Sequence, residues 1–275
     1  MEHKIGIIGN GFVGNALYKG IKTFHNDVWI YDIDASRSIN SIEEVSSCNF
    51  IFICVPSPKG IDGKVDMSYT YQAIESILNN KIIKPIIVIK STVEPGTCKK
   101  IQDKYSIPVL SNPEFLTERR AFEDFMDPRC IIIGGDKEER NLLKNFYEIG
   151  FPCNTTDGKE YKYYLTDSTT SELIKYTTNC FFSVKISFMN EMKQICDKAG
   201  GNWGELVEGF VKEGRVFPEH LDVPGHDGKL GFGGKCFPKD LSAMISYANQ
   251  NNIEPKMMQA ANNKNKELRE LIDNE

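Results

Sequence analysis

Three groups of residues have types and spacings that could do chemistry. The first is GFGGKCFPKD, Gly231 to Asp240, where a single cysteine, Cys236, follows a glycine-rich run. A structural cysteine sits among apolar neighbours inside a helix or strand. This one lies where the backbone must turn tightly, and it reads as a presented thiol. The second is Gly9-x-Gly11-x-x-Gly14, placed directly after the apolar run Ile5 to Ile8 and just where a helix opens at about Phe12 and Val13. Its first glycine allows a tight turn, its second lets the backbone approach a pyrophosphate, and its third lets helix and strand pack closely. The phosphate then rests on the helix amino terminus. Asp32 follows 18 residues after Gly14, where an acid hydrogen-bonds a ribose 2′-hydroxyl and repels a 2′-phosphate. NAD is therefore favoured over NADP, although Arg37 nearby leaves NADP open. The third group is Glu172, Lys175 and Asn179, whose spacing aligns them on one helix face. Without a partner from elsewhere in the chain, that stripe also reads as a solvated surface.

The elements that must position these groups are legible as alternating patterns. Apolar runs at 5–8, 49–55, 85–90, 107–110 and 130–135, together with DVWIYDID, alternate with helical stretches at about 67–80, 96–104 and 136–148. Near-continuous Ile/Val strands separated by helices predict a parallel sheet buried on both faces, a doubly wound α/β fold of Rossmann type. Ligands of such sheets bind beyond the carboxyl ends of the strands. Those ends carry Val55-Pro56-Ser57-Pro58, Ser91-Thr92 and Asn112-Pro113-Glu114. From about Leu165 the pattern turns helical, with Asp167 or Ser168 as caps and a stop at Gly200-Gly201. Leu173, Thr177, Cys180, Phe181, Val184 and Phe188 follow the spacing of a face packed on a core. A helix of more than 30 residues fits a spine joining two domains or packing across a dimer. We expect a dinucleotide-binding domain over 1–164 and an all-α domain over 165–275. A short helix is expected at about 203–213, followed by a long Gly/Pro loop to 239; loops of that length are usually functional.

Composition narrows the partners. With 40% hydrophobic and 26% charged residues and a net charge of −5, the 275 residues read as an ordinary globular chain. They carry no basic stripe for nucleic acid. No 18-residue apolar run and no signal peptide is present, so no membrane partner and a cytoplasmic location are expected. Eight irregularly spaced cysteines with no CxxC pair and no neighbouring histidine argue against a metal site or a disulfide framework.

Six separated segments, GIIGNGFVG, VPSPKGIDGKVDMS, IKSTVEPGT, SNPEFLTERRAFEDFMDPRCIIIGG, SELIKYTTNCFFSVKISFMNE and VPGHDGKLGFGGKCFPKD, together resemble the UDP-glucose/GDP-mannose dehydrogenase family, most of all its UDP-glucose 6-dehydrogenases. They occur in family order across nearly the whole chain. The resemblance implies oxidation of a nucleotide sugar's C6 alcohol to a carboxylate with two NAD+. It assigns Cys236 the role of nucleophile, through a thiohemiacetal and a thioester. Lys175 and Asn179 become oxyanion donors, each worth several kcal/mol in comparable sites, roughly 10²-fold in rate. Lys175 also favours the thiolate. Asp240 is placed beside Lys175 and a catalytic water, and Glu114 is similar to the residue that activates water, with Thr92 and Glu118 as polar supports. By the same resemblance Val55, Pro56, Ser57, Ser91, Thr92 and Glu118 line the cofactor. Phe115 and Leu116 cradle the substrate, the Gly231-Phe232-Gly233 loop closes over it, and Arg215 reaches the sugar nucleotide of a neighbouring subunit in a homodimer.

The chain departs from the family pattern at Glu118-Arg119, at Lys235, and at Val216-Phe217 after Arg215. Family members also continue into a second α/β domain that binds much of the uridine diphosphate, and the resemblance implies a chain lacking it. Two other readings stay open: an NAD-binding dimer without catalysis, and a hydroxyacid dehydrogenase of the 6-phosphogluconate type, which has no use for an essential cysteine.

Overall fold

The computed structural model describes residues 3–60, 63–81, 84–153 and 161–270. The chain divides into two compact units, one of residues 1–58 with 66–175 and the other of residues 59–65 with 176–275.

The first unit is built on strands β1 (Ile5–Ile8), β2 (Val28–Tyr31), β3 (Phe50–Ile53), β4 (Ile86–Ile89), β5 (Val109–Ser111), β6 (Ile131–Gly134) and β7 (Tyr163–Thr166). They form one sheet in the order β2-β1-β3-β4-β5-β6-β7. All neighbours are parallel except β5 and β6, which meet antiparallel through Ser111 and Gly134. Helices α1 (Phe12–Ile21), α2 (Ile42–Ser46), α3 (Ser68–Asn80), α4 (Thr97–Tyr105), α5 (Ala121–Met126) and α6 (Lys137–Gly150) connect the strands. Successive residues of a strand point to opposite faces. Thus Ile5, Ile7, Phe50, Phe52 and Val88 enter one apolar cluster, and Ile8, Ile51, Ile53, Ile87 and Ile89 enter the other. At about 1.5–3 kcal/mol for each fully buried large apolar side chain, these two layers outweigh any single polar contact of the unit. The strand order reverses at β1, between β2 and β3, so the glycine turn after β1 opens at the sheet's switch point.

The helical stretch expected from about Leu165 begins three residues later, with Asp167, one of the two expected caps, as its cap. Tyr163 to Thr166 pair with β6 as the edge strand β7, and the helix starts at Ser168, where the Asp167 carboxylate accepts from the Thr170 N–H at 2.9 Å. Four residues, three half-buried and Tyr164 exposed, carry too weak an alternation to reveal a strand.

That helix, α7 (Ser168–Ala199), is followed by α8 (Trp203–Lys212), α9 (Phe237–Gln250) and α10 (Lys256–Glu270). Its buried face is not the one expected. Of the apolar stripe, Cys180 is buried, but Leu173, Phe181 and Phe188 are 38%, 61% and 51% exposed. The polar residues Glu172, Lys175 and Asn179 are only 3%, 5% and 5% exposed, and Ser183, Ser187 and Asn190 continue the same buried face. The surface reading of that stripe is therefore overturned too: its polar groups find hydrogen-bond partners, which removes the penalty for burying them.

Candidate active site

The glycine turn behaves as its spacing predicts. Gly9 has φ +98°, and a Cβ there would lie 2.6 Å from the Cys54 carbonyl oxygen. A Cβ on Gly14 would lie 1.8 Å from the Gly9 oxygen. At Gly11, by contrast, a Cβ would meet nothing within 4 Å. Gly11 is the N-cap of α1 and offers no side-chain cap to the helix's first N–H groups, leaving these donors suited to a phosphate, with Phe12 and Val13 in the first turn. Asp32, at the end of β2, is buried, and its carboxylate accepts from the N–H groups of Asn10 at 2.7 Å and Asp34 at 2.9 Å. Arg37 reaches both Asp32 (3.1 Å) and Asp34 (3.2 Å). Its guanidinium is thus occupied by two carboxylates, which disfavours a 2′-phosphate. After β3, Val55 and Ser57 are half-buried and Pro56 is exposed. Ser91 ties the ends of β3 and β4 together by donating to the Val55 carbonyl at 2.7 Å. These features fit a bound dinucleotide.

Beyond β5, Asn112 and Glu114 are both buried. The Asn112 Oδ1 accepts from Tyr147 Oη at 2.7 Å and Lys90 Nζ at 3.1 Å, while its Nδ2 donates to the Ile132 carbonyl at 2.7 Å. Glu114 accepts from the Leu116 N–H at 2.6 Å and from Lys175, whose Nζ reaches Oε1 at 3.1 Å and the Glu114 carbonyl at 2.6 Å. Lys175 also lies 5.1 Å over the Phe115 ring, a cation–π distance. Thr92 is half-buried, and Glu118 is exposed in a single 3₁₀ turn, Glu118–Arg120. Lys90 is a buried cation that sequence reasoning missed. Burial lowers it to about 8, opposed in part by the Glu114 carboxylate. Its only signal was its place at the carboxyl end of a strand.

Glu172 serves a different end. It accepts from the N–H groups of Gly96 and Cys98 (2.8 Å for the latter) and so caps α4 from α7. Burial raises its pKa against these same hydrogen bonds.

In the second unit, Asn179 Nδ2 donates to Asp240 Oδ2 at 2.6 Å, and Lys239 pairs with the other oxygen of that fully buried carboxylate. Cys236 is the N-cap of α9, half-buried, and its carbonyl accepts the Asp240 N–H at 2.8 Å. Five of the eight cysteines are buried, and burial pushes Cys48, Cys54 and Cys180 up to about 12. Those thiols stay protonated near neutrality, whereas Cys236, like Cys130 and Cys153, is only half-buried. The Phe232 side chain is buried against Cys180 and Leu241, Gly233 is half-buried, and Arg215 is exposed beside Glu213. Among the described residues, no group of His, Cys, Asp and Glu is arranged to hold a metal ion.

A mostly parallel sheet with a glycine turn at its switch point and a buried acid after β2 defines a dinucleotide-binding fold of Rossmann type. Residues 37–150 match the NAD binding domain of the UDP-glucose/GDP-mannose dehydrogenase family and residues 169–267 match that family's central domain; the chain belongs to this family, and its dinucleotide is NAD. The chain is similar to the UDP-glucose 6-dehydrogenase of Rickettsia bellii, at 39% identity over 236 residues, which is 84% of this chain and 52% of the relative. It spans about half the length of the curated relatives it matches first. Its fold is similar to the solved structure of a UDP-glucose dehydrogenase from Pyrobaculum islandicum, with a TM-score of 0.84 at 26% identity over 97% of this chain and 68% of that one. A UDP-D-ManNAc dehydrogenase from Pyrococcus horikoshii shares the fold at a TM-score of 0.81 and 23% identity, covering 96% of this chain and 68% of that one.

Proposed function

We propose that this chain carries the catalytic residues of an NAD-dependent nucleotide-sugar dehydrogenase that converts UDP-glucose to UDP-glucuronate through a covalent intermediate on Cys236. The observation that supports this most is the buried polar face of α7. Lys175 and Asn179, one turn apart, are each held by an acid from another family motif, Glu114 and Asp240. Burying an ammonium and an amide costs stability. An arrangement that retains both fits a catalytic use.

NAD+, when bound, accepts the hydride in each of the two oxidations. The C6 alcohol gives its proton to water and loses a hydride to become an aldehyde. The Cys236 thiolate adds to the aldehyde carbon, forming a C–S bond and placing negative charge on oxygen, where Lys175 Nζ and the second N–H of the Asn179 amide donate. Loss of the second hydride gives a thioester. Water then adds as Glu114 takes one of its protons, the C–S bond breaks to release the thiolate, and the acid gives its remaining proton to solvent to leave as the carboxylate. Asp240 fixes the Asn179 amide, and the N–H of Leu116 and the Lys175 ammonium orient the Glu114 carboxylate. Gly11 and Asp32 hold the cofactor's pyrophosphate and ribose, with Ser91 and Thr92 at the adjacent strand ends. Phe115, Leu116 and the Phe232-Gly233 loop contact the sugar nucleotide, and Arg215 serves a neighbouring subunit. A homodimer formed through the exposed apolar face of α7 completes the reading.

Purified protein given NAD+ and UDP-glucose is expected to form two NADH per acid, and Cys236→Ser to stop acid formation. Wild-type protein that forms no NADH with any nucleotide sugar, alone or with a candidate partner chain, overturns the reading.

A further inference from the structure

The limb of the glycine-rich loop that leads to Cys236 is held by side chains, not by regular secondary structure. Phe232 N–H donates to Asn265 Oδ1 at 2.6 Å. Gly231 N–H donates to Asn190 Oδ1 at 3.1 Å, and the Gly231 carbonyl accepts from Arg269 Nη2 at 3.2 Å. The same guanidinium pairs with Asp227 at 2.8 Å, so one side chain ties two points of the loop together. The fit is close. Gly231 has φ +69°, and a Cβ there would lie 2.4 Å from Asn265 Oδ1; a Cβ on Gly233 would lie 3.0 Å from Arg269 Nη2.

Asn265 stands between Ala261 and Leu268 on the buried face of α10. A polar side chain at a core-facing position costs stability unless it is hydrogen-bonded. Here its oxygen serves a backbone N–H of another segment. At the far end of the loop, Cys236 begins α9, and Asp240 is anchored by Asn179 and Lys239. Between these two fixed ends, Gly234 has φ +76° with open space around its Cβ direction, and Lys235 is exposed.

We propose that Asn265 and Arg269 are positioning residues for the Cys236 loop: they fix Gly231 and Phe232 so that only Gly233, Gly234 and Lys235 adjust ahead of the thiol. The proposal rests on the reading of Cys236 as the reactive thiol, but its test does not require turnover. The full chain is alkylated with iodoacetamide, and the rate at each cysteine is followed by mass spectrometry, with half-buried Cys130 as internal reference. Asn265→Ala and Arg269→Ala are expected to raise the Cys236 rate about threefold or more by loosening the loop, while Cys130 is unchanged. Asn265→Asp keeps the acceptor and is expected to behave as wild type. In turnover, the alanine variants are expected to lose kcat with little change in the KM for NAD+. A smaller or opposite change at Cys236, or equal disturbance by Asp and Ala at position 265, overturns the proposal. Should an alanine variant fail to fold, seen as reaction at buried Cys54, Asn265→Ser and Arg269→Gln are judged by the same criterion. Absence of NADH formation by the wild type would instead count against the dehydrogenase reading, leaving the alkylation result interpretable.

Discussion

Gly11 and Gly14 stand three residues apart in one turn, yet an added methyl group meets opposite surroundings at each. At Gly14 it would press on the Gly9 carbonyl at 1.8 Å, whereas at Gly11 it would meet nothing within 4 Å. Gly14→Ala is therefore expected to cost about 3 kcal/mol or more of stability. Gly11→Ala is expected to keep its melting temperature while weakening NAD about tenfold, since the methyl group occupies the space of the pyrophosphate. Calorimetry of binding and of unfolding separates the two. Lys90 makes a second residue-scale case. Its pKa falls from an ordinary 10.5 to about 8 in the fold. Between these values the unfolded chain binds more protons, so stability rises with pH through that window; the burial penalty is fully present below about pH 8. Lys90→Met removes this dependence. The stability difference, variant minus wild type, is expected to shrink by about 3 kcal/mol between pH 7.5 and 10.5 in urea unfolding; a constant difference would contradict it.

Among the elements, α7 shows how far a periodic pattern can be trusted. Its length, its cap at Asp167 and its end at Gly200 are local matters, settled by side-chain capping and by glycine's tolerance of φ +76°. Which face it buries is not local. Hydropathy selects the stripe through Phe181 and Phe188, but the fold buries the stripe through Glu172, Lys175 and Asn179. Each of those side chains meets a group about 60 or more residues away in sequence: the α4 amino end, Glu114 and Asp240. No window of neighbouring residues contains that information. The same holds for α10, whose Asn- and Lys-rich sequence reads as surface although Asn265 is buried and bonded to Phe232.

For the whole molecule, the exposed face of α7 bears on assembly. Phe181, Phe188 and Ile195 are seven residues apart, the repeat of a helix seam, and with Leu173 they are all exposed in the single chain. Burying the exposed part of eight such side chains across a pair, at no more than about 1.5–3 kcal/mol each, is of the same order as an association cost of about 4–15 kcal/mol. The proposed homodimer should sediment as such at micromolar concentration, and a Phe181→Glu, Phe188→Glu variant should sediment as a monomer. A monomeric wild type would remove the dimer from the proposal. Among the described residues, no helix is long and apolar enough to cross a membrane.

What the sequence by itself determined are the features set by short-range physics. The Gly9-Gly11-Gly14 turn follows from backbone sterics, and the β1, β3 and β4 strands from continuous Ile/Val runs. Asp32 is a candidate by its distance to that turn, and Cys236 by its glycine setting. Only the tertiary structure decided the antiparallel entry of β6, the edge strand β7, the buried face of α7, and the use of Lys90, Asn265 and Arg269. Each of these depends on which distant group satisfies a buried donor or acceptor, and a hydrogen bond between remote segments leaves no periodic trace in either of them.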